Sequence, residues 1–190
     1  MSGTVNVHSE YAQEIARMAR NKENKVFLNS SVYHALIILK ELIRNAESSV
    51  MILCGSMCDP IIYQDEEYLS VVEGFLNKMK DVACVEEPVL RVLFDSYNPV
   101  FEQSRIAQIL KKPEYSGLVE IRKLKSAYKH IYLDSKPVHL AVADNTAYRI
   151  ETDLVNRMAW GNFNDVEKAR RYAFGLLTYF NNHKYTESVA

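Results

Sequence analysis

Between Pro137 and Asp153 the chain sets His139, Asp144, Arg149 and Glu151 within one short stretch. An imidazole, a guanidinium and two carboxylates suit acid–base chemistry or the grip of an anion. The stretch reads as a buried strand Val138–Ala143, a tight turn at Asp144-Asn145, and a second strand Ala147–Ile150. Residues two apart on a strand share a face, so Arg149 and Glu151 point the same way and Tyr148 and Ile150 the other. Two readings follow: Arg149 contacts an anion and is gated by Glu151, or the two form an ion pair that stiffens the hairpin. His139 lies in an apolar strand with no Ser or Cys placed as a partner, so a satisfied core histidine weighs against a catalytic base.

Other segments offer binding groups. Arg122, Lys123 and Lys125, followed by Tyr128 and Lys129, form a local basic patch with an aromatic ring. Such a patch suits a phosphate backbone with one stacked base, or else protects a sheet edge by charge. His130 reads as solvated. The run Trp160-Gly161-Asn162-Phe163-Asn164-Asp165 reads as a loop, with Trp160 and Asn162 either walling a pocket or packing before a capped helix. Cys54 and Cys58 lack the further Cys or His that a zinc site needs, so no metal and no cofactor is expected. The cysteines Cys54, Cys58 and Cys84 make an odd count, which fits a reducing, cytoplasmic setting. No signal peptide and no membrane span is read from the sequence.

These groups need a scaffold, and 190 residues at 48% hydrophobic content suffice for one sizeable core. A formal net charge of -1 supplies no overall field toward nucleic acid or acidic lipid. Apolar periodicity predicts helices over Ser9–Asn21, from after Ser31 to Glu47, over Glu66–Met79, over Glu102–Lys112, and from an Asn164 or Asp165 cap to Tyr179 or Phe180. Continuous apolar runs predict central strands at Val50–Cys54 and Pro88–Asp95, and a third strand nearer an edge at Gly117–Leu124. Val26–Leu28 reads as an edge strand or a lead-in, Ser126–Ser135 as helix or loop, and Asp153–Met158 as a helical turn. The expected architecture is α/β: a mixed central sheet with helices on both faces, preceded by an N-terminal helical segment over residues 1–25.

The hairpin resembles the site hairpin of the phospholipase D-like superfamily. Active members carry His-x-Lys-x(4)-Asp, often followed by x(6)-Gly-Ser; the His attacks phosphorus, the Lys holds phosphate oxygens, and the Asp fixes the strand and turn. Here the pattern reads Pro137-x-His139-x(4)-Asp144-x(6)-Glu151-Thr152. Asp144 keeps its place, while proline at the nucleophile position has no group to attack with. Taking His139 as the nucleophile puts Ala141 at the lysine place and Asp144 two residues early. The helix after Asn29-Ser30-Ser31, the strand after Ser48-Ser49 and the aromatic closing helix extend the likeness over Val26 to Tyr185.

The resemblance implies a single phospholipase D-like domain over residues 26–190, with the motif degenerate and Asp144 structural. It also implies a homodimer, because the family pairs two copies at one site. The expected function is an inactive binding or interaction module whose partner is a protein or nucleic acid and no membrane. The alternative is a divergent phosphodiesterase or nuclease using His139 with Arg149 and Glu151.

Overall fold

A computed structural model describes residues 7–82 and 87–189. Cys84, one of the cysteines weighed above, lies outside the described residues. The chain runs α1 (Val7–Arg20), β1 (Phe27–Asn29), α2 (Val32–Arg44), β2 (Val50–Cys54), α3 (Pro60–Tyr63), α4 (Glu66–Lys80) and β3 (Leu90–Phe94). It continues through α5 (Arg105–Leu110), β4 (Val119–Leu124), β5 (Tyr132–Leu133), β6 (Lys136–Pro137), β7 (His139–Ala143), β8 (Ala147–Asp153), β9 (Met158–Asn162), α6 (Val166–Phe180) and β10 (Thr186–Ser188).

The strands form a mixed sheet in the order β1-β9-β8-β7-β2-β3-β4-β10, with β5 and β6 as a separate pair. β2, β3 and β4 are parallel; β7, β8, β9 and β1 continue antiparallel from β2. Each central strand is apolar on both sides because both faces are covered. Val50, Ile52, Cys54, Val92 and Phe94 join the α1, α2, α4 and α5 core. Met51, Leu53, Leu93, Leu140, Val142, Tyr148 and Ile150 meet Ala169, Ala173, Leu176 and Phe180 of α6. This is the α/β architecture expected from the sequence. The α1 stripe Ile15, Met18 and Ala19 belongs to the first of these cores, and the Tyr11 hydroxyl donates to the Leu28 carbonyl at 2.6 Å.

Several elements differ from expectation. The run Trp160–Asn162 is strand β9 rather than a loop, because Gly161 lets the chain pass close to its neighbours. A Cβ there would sit 2.2 Å from the Tyr148 carbonyl oxygen and 2.5 Å from the Phe27 ring. β4 is not at the edge, since β10 pairs antiparallel along it, Thr186 opposite Leu124 and Ser188 opposite Arg122. The helix expected over Glu102–Lys112 is split: a 3-10 turn over Pro99–Gln103 ends at Ser104. That residue is extended, and its hydroxyl accepts from the Ala107 N–H to start α5. The ambiguous stretch before Pro137 is the β5–β6 hairpin, whose turn residues Asp134 and Ser135 both have positive φ, 49° and 63°.

The β7–β8 turn has the same geometry. Asp144 and Asn145 have φ of 52° and 55°, and the Thr146 N–H donates to the Ala143 carbonyl at 3.0 Å, closing a two-residue turn of the primed kind. The Asp144 carboxylate then leaves the hairpin and gathers the segment before β2. It accepts from the N–H groups of Glu47, Ser48 and Ser49 at 2.7, 2.8 and 3.0 Å and from the Ser48 hydroxyl at 2.9 Å. One side chain thereby ties the hairpin tip to the start of the central strand. Asp144→Ala removes all four bonds and leaves at positive φ a residue without the polar side chain that favours this conformation. The expected loss is about 2–3 kcal/mol of stability, read by urea unfolding, with Asp144→Asn retaining a larger share than Ala.

Candidate functional site

The antiparallel register of β7 and β8 sets His139 directly opposite Glu151, and Ala141 opposite Arg149. All four side chains share the α2 face, because Tyr148 and Ile150 point to α6. On the far side of β8, Gly161 of β9 lies opposite Arg149, and the Phe27 ring fills the place of its missing side chain. Across β7 the long guanidinium is flanked only by the Ala141 methyl group, which leaves it room to lie down over the sheet on that side. The parallel strands β2 and β3 end beside this point, delivering Gly55, Asp95 and Ser96. Crevices at the carboxyl ends of parallel strands are where α/β sheets hold ligands.

The result is a cavity of about 500 Å³ lined in part by His139, Arg149, Glu151, Arg157, Asp59 and Ser96. His139 sits between two acids, its Nε2 3.4 Å from Asp95 Oδ2 and its Nδ1 3.7 Å from Glu151 Oε2. Asp95 is buried and further engaged: the Ser96 hydroxyl donates to Oδ1 at 2.6 Å and His130 Nδ1 lies 2.9 Å from Oδ2. Arg149 donates from Nε to Asn29 Oδ1 at 3.0 Å and from Nη1 to Glu151 Oε2 at 3.4 Å. Asn29 is fully buried, and its amide nitrogen donates to the carbonyls of Ser31 and Arg157. Arg157 leans over the rim, Nη2 3.3 Å from Asp59 Oδ2 and Nη1 3.8 Å from Glu151 Oε1.

These neighbours reset the acid–base behaviour. Burial alone pushes the His139 imidazole down, but the two carboxylates facing its nitrogens more than offset that, and its pKa lies above the usual value. Burial pushes Asp95 up, yet His139, Ser96 and His130 together hold it below the usual aspartate value. Glu151 behaves alike: burial raises it, and His139, Arg149 and Arg157 bring it lower than an ordinary glutamate. Burial pulls the Arg149 guanidinium down against the opposing charge of Glu151.

Of the residues singled out in the sequence, His139, Arg149 and Glu151 meet in this cavity. The others do not reach it. Arg122 is corrected from a surface cation to a buried one, 5% exposed, because β10 covers it; it donates to the Thr186 hydroxyl at 2.8 Å and lies 2.7 Å from His183 Nδ1. Lys123 pairs with Glu187 at 3.3 Å and lies over the Tyr97 ring. Tyr128 packs edge-on against Tyr185, the Lys125 N–H donates to the Tyr185 carbonyl, and Lys129 is exposed. The basic patch is thus split by burial and by ion pairing. Trp160 is corrected from pocket wall to core edge, its ring T-shaped on Tyr148 at 5.6 Å. Asn162 is corrected likewise: it is 2% exposed, donates to Asn24 Oδ1 at 2.8 Å and accepts from the Asn164 N–H at 2.7 Å. His130, expected to be solvated, holds Asp95 instead.

Sequence reasoning missed Asp95, Asn29, Ser96 and Arg157. Asp95 carried a usable signal, a carboxylate closing an otherwise apolar central strand. Asn29 did not, because its role depends on a partner 120 residues away. Among the described residues no group of three or more His, Cys, Asp or Glu side chains is arranged to hold a metal ion, and no helix is long and apolar enough to cross a membrane.

The linked pKa shifts give a signed expectation. His139 is raised, so its stabilising contribution is complete below its unfolded value of 6.5 and is lost as pH rises through its folded value. Asp95 and Glu151 are lowered, so theirs is complete above their unfolded values of 3.8 and 4.5 and is lost as pH falls through the folded ones. The stability advantage of the parent over His139→Gln should peak between about pH 4.5 and 6.5 and shrink on both sides. Urea unfolding from pH 4 to 9 measures it; curves that stay parallel above pH 6.5 contradict the assignment.

No protein-family model matches the chain, and no curated protein matches it in sequence. Solved structures do. TrmBL2, an archaeal chromatin protein with a novel mode of DNA binding, aligns with a TM-score of 0.56 at 14% identity over 95% of this chain; the chain spans 62% of the length of TrmBL2. Nuc from Salmonella typhimurium, a phospholipase D family member, aligns with a TM-score of 0.55 at 12% identity, covering 88% of this chain and 99% of Nuc. NucT from Helicobacter pylori aligns with a TM-score of 0.52 at 14% identity, covering 81% of this chain and 94% of NucT. With its mixed sheet, two helical layers and cavity at the strand ends, the chain has the phospholipase D-like fold.

Proposed function

We propose that this chain is a phospholipase D-fold module that binds a ligand in its cavity and does not cleave phosphodiesters. One observation carries the reading. The imidazole in the cavity, His139, faces a carboxylate at each ring nitrogen, and its pKa is raised. With a carboxylate beside each ring nitrogen, neither nitrogen is presented free to attack phosphorus. The position that would hold the nucleophile is Pro137, which pairs with Tyr132 in the β5–β6 hairpin. The degenerate motif and the crowded imidazole support the same conclusion independently. The domain division at residue 26, a homodimeric state, a cytoplasmic setting and a protein or nucleic-acid partner belong to this proposal. DNA binding by TrmBL2 makes nucleic acid the first partner to try.

A second reading has its own support. His139, Arg149 and Glu151 converge in one cavity, as a divergent phosphodiesterase using them requires. Here Glu151 would set the protonation of His139 and Arg149 would meet the phosphate.

The parent chain is incubated with bis(p-nitrophenyl) phosphate and with single-stranded DNA, with and without EDTA, beside His139→Ala. The expected outcome is no turnover in either protein. Metal-independent cleavage that His139→Ala abolishes overturns the binding reading in favour of the second. Light scattering gives the mass in solution, with a dimer expected and a strict monomer removing that part of the proposal.

A further inference from the structure

The cavity contains two buried polar atoms with no hydrogen-bond partner among the described residues, Arg149 Nη2 and Glu151 Oε1. Their residues are 4% exposed each, and both line the cavity. Buried polar groups are nearly always satisfied, and a charged pair left half-made is costly to keep. One unmet group is a donor and the other an acceptor, carried on neighbouring side chains joined by the Arg149 Nη1–Glu151 Oε2 bond. A ligand that answers both must present an acceptor beside a donor.

Charge narrows the class. Asp59 and Glu151 line the space with Arg149, Arg157 and His139, and each of these bases already has a carboxylate within 4 Å: Glu151 beside Arg149, Asp59 beside Arg157, and Asp95, behind the wall, beside His139. A free phosphate would meet Asp59 and Glu151, and a cation would meet Arg149 and Arg157. With its cations already paired, the site favours an uncharged guest. The rest of the wall is mixed: Ala35, Leu39, Ile52, Met57 and Ile62 are apolar, and Ser56, Ser96 and Tyr63 are polar. The apolar side chains suit the face of a flat ring better than a polyol with hydroxyls all round. The volume of about 500 Å³ fits a nucleoside-sized molecule.

We infer that the cavity recognises the amide edge of an uncharged heterocycle, a carbonyl beside a ring N–H as in uracil or guanine. Arg149 Nη2 donates to the carbonyl and Glu151 Oε1 accepts from the ring N–H. The Arg157 side chain, whose Nη1 lies 3.8 Å from Oε1, swings aside to admit the ring. This rests on the preceding reading of the cavity as a ligand site, and it names the guest. The same edge is offered by a free nucleoside or by a base drawn out of a single strand, and both sources are probed.

The test titrates the full chain with uridine, guanosine, N3-methyluridine and inorganic phosphate by calorimetry. A short oligo(dT) serves as the strand-borne source. Saturable binding of uridine or guanosine is expected. N3-methyluridine keeps the ribose and both ring carbonyls but lacks the ring N–H, and it should bind about tenfold or more weakly than uridine. Phosphate at millimolar concentration should not compete. Glu151→Gln keeps an oxygen acceptor and should retain part of the binding, with a thermal melt confirming that it folds. Equal binding of uridine and N3-methyluridine overturns the inference, as does displacement by phosphate. Failure of both nucleosides and of oligo(dT) to bind also overturns it, and the two orphan atoms are then held by water. Absence of nucleoside binding together with absence of turnover sinks this inference alone. Cleavage of phosphodiesters with N–H-dependent nucleoside binding sinks only the claim of inactivity.

Discussion

The register of one hairpin governs the rest of the structure. Because β7 and β8 pair with Ala143 opposite Ala147, every second residue of each strand is committed to one side of the sheet. A slip of one residue would turn His139, Arg149 and Glu151 toward α6 and expose Tyr148 and Ile150 to the other layer. Two devices hold the register. The turn at Asp144-Asn145 admits only residues that tolerate positive φ, and the Asp144 carboxylate anchors the turn to the chain entering β2. The acid on which the sequence resemblance rests therefore acts at the opposite end of the hairpin from the cavity, through strand alignment.

Given that alignment, the cavity is a problem of buried charge. Asp95, His139, Arg149 and Glu151 are drawn largely out of water together, and each is tolerable only because another lies close. Asp95 is the most heavily engaged, with two imidazoles and a hydroxyl around it. Arg149 and Glu151 are less complete, since each spends one atom on the other and keeps one unmet. The incomplete pair sits across from Ala141, a small residue that also lines the cavity, so space and unspent hydrogen-bonding capacity coincide.

The sequence displayed the scaffold more clearly than the site. Val50–Cys54 and the α6 stripe are periodic or continuous enough that their place follows from hydrophobic burial alone. β9 was hidden because its Gly161 and Asn162 carry turn chemistry, while the use of the glycine here depends on the Phe27 ring and the Tyr148 backbone lying against it. β10 was hidden because three polar-flanked residues have no period to read. The basic run at Arg122 misled for the same reason: a strand that arrives later in the chain buries that guanidinium. His139, Arg149 and Glu151 were legible as a group because they are near in sequence. Asn29, Asp95 and Arg157 join them only through the fold.

Both rims of the sheet end in a three-residue antiparallel strand. At one, β10 lies along β4. At the other, β1 spans three residues, Phe27–Asn29, with Leu28 71% exposed. An open strand of this kind invites a foreign strand to zip on, the first step toward ordered aggregates. The Tyr11 phenol already occupies the Leu28 carbonyl, and Tyr11 belongs to α1. The leading helix thereby takes up one of the few acceptors this margin has to offer, leaving less for an incoming strand to pair with.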